Sequence, residues 1–152
     1  MKNEIEKLSD KLVNAFVKNK IIAPLPLRYT KKLNEAQKLR KLCESKVSDT
    51  IIGFKAAGTG IPVMKKLKEK KPFYASIFKK NFLKSGQKVK INKFTLGIEL
   101  EVCYQIKKKF FLSNGLITMK NIDKYISNMA TCIEIIGYRQ RKKGITSFGD
   151  LC

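Results

Sequence analysis

An α+β fold is what this sequence predicts, and three observations carry the prediction. Apolar residues recur at helical spacing through the first 45 or so positions. From Ile51 onward they gather instead into short runs of strand length, separated by turn signals. The 152 residues are 43% apolar, enough for the core of one ordinary domain. Helices first and strands afterwards is the α+β order. The organisation expected is an N-terminal helical region, 1–48, followed by a β-rich region, 49–152.

The elements follow in order. Residues 3–18 place Ile5, Leu8, Leu12 and Phe16 on one stripe with charges between them, an amphipathic helix. Pro24 and Pro26 then stop helix and favour an extended segment. A second helix is expected over about 33–45, with Thr30 or Asn34 as its cap. TIIGFK is a compact apolar strand. AAGTG after it is a tight turn rather than a phosphate loop, since it lacks the GK[ST] ending. Ile61–Leu67 reads as one or two helical turns. Residues 72–92 read as short strands and turns, with Ser85-Gly86 as a turn. A strand covers 95–106, a helix is expected over 118–129, and a buried strand over 130–139. No internal repeat is present. The chain ends about a dozen residues after the last strand-like segment, which raises the expectation of a truncated chain.

Composition excludes several chemistries. There is no histidine, which removes His-based acid–base work and Ser–His or Cys–His nucleophile pairs. Cys43, Cys103, Cys132 and Cys152 lack CxxC spacing, so zinc is disfavoured. Any metal must then be a hard cation on oxygen ligands. No run of eighteen apolar residues exists, and MKNEIEKLSDKL is no secretory signal, so a cytoplasmic protein without membrane partners is expected. The net charge is +21, from 33 Lys and Arg against 12 Asp and Glu. Nearly all of the excess is scattered lysine; the arginines are Arg28, Arg40, Arg139 and Arg141. Nucleic-acid readers favour arginine for bidentate contacts, so a lysine-rich solvated surface is preferred over a nucleic-acid interface.

Against that surplus of cations, the acids of GIELEV stand out. Alternation along a strand puts Glu99 and Glu101 on one face and Ile98, Leu100, Val102, Tyr104 and Ile106 on the other. The apolar face is expected to pack on a core. The two carboxylates lie about 7 Å apart along the strand and repel if shielded from water. Glu134, within CIEII, is expected to be buried and therefore paired, protonated or metal-bound. Two readings stay open on pattern alone. Glu99 and Glu101 lie on a solvated face beside lysines while Glu134 pairs with a cation, or the three hold Mg²⁺ or Mn²⁺.

Together, IIGFKAAGTG, PFYASIF, GIELEVCYQI and CIEIIGYR resemble, in order and spacing, the 2-keto-4-pentenoate hydratase family of the fumarylacetoacetate hydrolase superfamily. The likeness spans essentially the whole chain, and the E-x-E strand with the later E-I-I-G-Y-R is its specific part. It implies a mixed β-sheet or barrel of that superfamily's type after an N-terminal helical subdomain. Family members run to roughly 250 residues, so the chain would hold the N-terminal portion only, with 49–152 the first part of the catalytic domain. It further implies Mg²⁺ or Mn²⁺ bound by Glu99, Glu101 and Glu134, Lys55 in the active site, and Thr59 as the nearest match to a substrate-binding hydroxyl. The implied activity is that of a lyase on 2-keto acids, a hydratase or 2-oxo-dioate decarboxylase of aromatic-compound catabolism. The implied assembly is a homo-oligomer when full length. An acylpyruvate C–C hydrolase is the alternative within the superfamily. A small basic nucleic-acid-binding protein without catalysis is the alternative outside it.

Overall fold

The computed structural model describes residues 3–92, 94–111 and 115–140. Helices and strands both form, with two small antiparallel sheets that do not close. Two compact units result, one bounded by Met1–Lys90 with Arg139–Cys152 and the other by Ile91–Tyr138. No helix among the described residues is long and apolar enough to cross a membrane.

In the first unit, α1 spans Glu4–Val17. Its start is a capping box: Glu6 N–H donates to Asn3 Oδ1 at 3.0 Å, and Asn3 N–H donates to Glu6 Oε2 at 3.1 Å. Glu4 and Glu6 also face the positive end of the helix dipole. A four-residue helix, α2 (Leu27–Thr30), follows the proline segment, and α3 spans Leu33–Lys46. The expected caps are not used. Thr30 is absorbed into α2 and buried, Asn34 lies inside α3, and the cap position falls on Lys32 without a side-chain bond.

Helices α1 and α3 meet through small or slender groups, with Ser9 and Ala15 buried on one and Ala36 and Leu39 on the other. Lys46 ties the pair together by donating to Ser9 Oγ at 2.5 Å and Asp10 Oδ1 at 2.7 Å. Beside them, burial pushes the Cys43 thiol up to about 11, against the pull of Lys46. At pH 8 about one Cys43 in a thousand is then thiolate, against about one in ten at the ordinary value of 9.0. Peptide-resolved alkylation of the native protein should therefore find Cys43 reacting roughly a hundredfold more slowly than after unfolding.

Strand β1 (Ile51–Ala57) pairs antiparallel with β2 (Phe73–Phe78), with Lys55 opposite Ala75. Gly58 ends β1 at φ 66°, a left-handed conformation that glycine adopts without a Cβ clash. The chain then turns into α4 (Ile61–Lys66). Phe73 and Phe78 supply the sheet's buried side chains, and Phe78 packs on Phe16 with ring centroids 5.8 Å apart. Arg40 of α3 is buried beneath this sheet edge. Its guanidinium stacks 4.8 Å from the Tyr74 ring and donates from Nη1 to Glu44 Oε1 at 2.5 Å. The same Glu44 oxygen accepts from Ser76 N–H at 3.1 Å.

The second unit is a long ribbon. Strand β3 (Thr95–Ile106) pairs antiparallel with β4 (Ile126–Gly137), and each has 12 residues. At the open end Phe94 is buried, and its carbonyl accepts from Tyr138 N–H at 3.0 Å. A Cβ on Gly137 would stand 2.8 Å from that same oxygen, so the close approach requires glycine. A disulfide joins Cys103 and Cys132, with Cα atoms 6.2 Å apart and a sequence separation of 29. Closing a loop of that size contributes roughly 3–4 kcal/mol in the chain-entropy account.

Three expectations are corrected here. Residues 118–129 do not form a helix: a turn held by Asn121 is followed by a 3-10 turn, Ile122–Tyr125, and β4 begins at Ile126. Ile122, Tyr125, Ile126 and Met129 mimic helical spacing, but pairing of 126–129 with 104–106 overrides the local period. The apolar face of β3 does not pack on a core. Leu100 is 84% exposed and Ile98 62%, because the sheet has two strands and no described residue covers that face. Glu134, finally, is half-buried rather than buried, on the carboxylate face of the same two-stranded ribbon.

Candidate metal centre

Strand alternation and ladder register build the site. Glu99 and Glu101 project from one face of β3, and the register sets Glu134 of β4 directly opposite Glu99. One carboxylate oxygen from each of the three lies within 4.8 Å of the other two. Glu99 and Glu101 are exposed and Glu134 is half-buried. Neither Glu99 nor Glu101 forms an ion pair among the described residues.

Like charges facing each other across a ladder destabilise it. In bulk water each pair of unit charges at this range costs about 1 kcal/mol. A divalent cation would reverse the sign of that cluster's energy. The donor set fits a hard cation, being all oxygen. Neighbouring oxygens around Mg²⁺ stand about 3 Å apart, so small side-chain rotations would bring the three into a first coordination shell. The exposed side leaves room for water or a bidentate ligand to complete it.

The other expected site residues stand in the first unit. Lys55 is half-buried in the middle of β1, and Thr59 is exposed in the turn after Gly58. The structure thus brings the three glutamates together, and Lys55 and Thr59 belong to the other unit.

Sequence reasoning missed the disulfide. The signal was a mirror: Glu101-x-Cys103 on one strand and Cys132-x-Glu134 on the other. Antiparallel pairing of those segments puts both cysteines on the carboxylate face.

Comparison with protein-family models, with curated proteins and with solved structures finds no match to this chain.

Proposed function

We propose that this chain is a metal-dependent lyase of 2-keto acids, a hydratase or decarboxylase of the fumarylacetoacetate hydrolase type. The observation that carries the reading is the convergence of Glu99, Glu101 and Glu134 on one face of the ribbon. Three carboxylates without a histidine suit Mg²⁺ or Mn²⁺. When bound, the ion supplies a Lewis acid that polarises the keto oxygen and stabilises an enolate.

The chain's own residues have simpler tasks. Glu99 and Glu134 face each other across the ladder and would hold a cation from two strands. Glu101 would hold it from two residues further along β3. A cation held by three protein oxygens would leave positions for the carboxylate and keto oxygen of a 2-keto acid and so would orient the substrate. The resemblance alone assigns Lys55 the role of a substrate-side cation or proton carrier and Thr59 that of a substrate contact. The lysine-rich surface favours the approach of anionic acids.

Hydration, decarboxylation and acylpyruvate cleavage share the enolate, so one experiment covers all three. The protein is incubated with a panel of 2-keto acids in deuterated water, with and without Mn²⁺, and exchange at C3 is followed by NMR. Mn²⁺-dependent exchange above the rate of free Mn²⁺ supports the reading. Saturable Mn²⁺ binding without any exchange across the panel would remove the lyase assignment.

A further inference from the structure

The Cys103–Cys132 disulfide lies on the carboxylate face of the β3–β4 ribbon. Cys132 stands directly opposite Glu101, and Cys103 stands opposite Ala130, so the bond runs diagonally between neighbouring rungs. Each cysteine is two residues from a glutamate of the cluster on its own strand. Beyond the disulfide and the backbone ladder, the cross-strand side-chain ties among the described residues sit at one end, where Ser127 Oγ donates to Gln105 O at 3.0 Å and Asn128 Nδ2 to Gln105 Oε1 at 2.7 Å. The ribbon has two strands, its apolar face is exposed, and Phe94 is the one buried side chain among its described residues. Two-stranded ribbons are marginal in water, and register is weakly specified where neither face is buried. A slip of one residue would turn Glu134 to the face opposite Glu99 and Glu101.

We propose that this disulfide is a redox gate on cation binding. Oxidised, it pins the register that gathers the three carboxylates; reduced, it releases the ribbon and the cation with it. The proposal rests on reading the glutamates as a divalent-cation site. Cys103 is exposed and Cys132 half-buried, so a reductant can reach the bond. The reductant is a dithiol. One of its thiolates attacks a sulfur of the pair, the Cys103–Cys132 bond breaks, and a mixed disulfide forms. The second thiol of the reductant displaces the protein sulfur. Two electrons and two protons pass to Cys103 and Cys132, and the dithiol leaves as a disulfide.

The test is calorimetric titration of Mn²⁺ into the full chain, oxidised or reduced with dithiothreitol, then capped with iodoacetamide and desalted. Cys103→Ser/Cys132→Ser is titrated beside them. Hydrogen exchange over 95–137 is followed in each form. One ion bound per oxidised chain, at least tenfold weaker binding after reduction and in the double variant, and faster exchange of the ribbon are expected. Equal affinity in all three forms would overturn the gate and leave the cation site standing. Absence of Mn²⁺ binding in the oxidised chain would overturn the site reading, and the gate with it. Slow alkylation of Cys43 in every form shows that the first unit stays folded, so a loss of affinity is not general unfolding.

Discussion

Glu101→Gln should lose the Mn²⁺-dependent rise in melting temperature that the wild-type chain shows. An ion at a hundredfold excess over its Kd stabilises the folded state by about 2.7 kcal/mol, worth roughly 5–10 °C for a chain of this size. Glutamine keeps the shape of Glu101 and removes one of three negative charges. Its neutral amide oxygen is a poor substitute in a hard-cation site. The variant carries a second signature of opposite sign. Without metal, it relieves repulsion among oxygens that lie within 4.8 Å of one another. Its melting temperature should then equal or slightly exceed that of the wild type, since Glu101 takes part in two of the three repulsive pairs. Wild-type chain insensitive to Mn²⁺, or a variant that still responds fully, would each remove the three glutamates as a metal site.

Glu44→Ala should be the more damaging change to the fold. The Arg40 side chain is 5% exposed, and Glu44 is its counter-charge. Two of its nitrogens, Nε and Nη2, already lack a partner. Removing Glu44 strands a buried guanidinium and the Ser76 N–H together, a loss of about 3–5 kcal/mol. The double variant Arg40→Met/Glu44→Gln separates the charge from the packing. Methionine fills the space without a charge, and the glutamine carbonyl still accepts from Ser76. Chemical denaturation should show the double variant recovering most of the loss. Equal destabilisation of both variants would mean that the pair's shape, not its charge balance, holds the helix against the sheet.

Legibility in the sequence followed the range of the interactions involved. Helix α1 was readable because its apolar stripe is local, while its Asn3–Glu6 capping box went unread. Strand β3 was readable because alternation from Ile98 to Ile106 has one period. The shared face of Glu99 and Glu101 followed directly. That Glu134 faces Glu99 did not, because antiparallel register is set between segments distant in sequence. The false helix at 118–129 has the same origin, a local period outvoted by distant pairing. The exposure of Leu100 was invisible for another reason. An apolar strand face says that it would gain by burial, and it says nothing about whether a partner surface is there.

That uncovered strand face also has a colloidal consequence. A chain of charge +21 repels its own copies strongly in dilute buffer, where the screening length is tens of ångströms. Added salt shortens that reach to a few ångströms, while it leaves untouched or strengthens the attraction between hydrocarbon surfaces. The balance between a dispersed and a self-associated chain is therefore set by ionic strength. The lysines act as the electrostatic brush that keeps Leu96, Ile98 and Leu100 of one molecule away from those of the next.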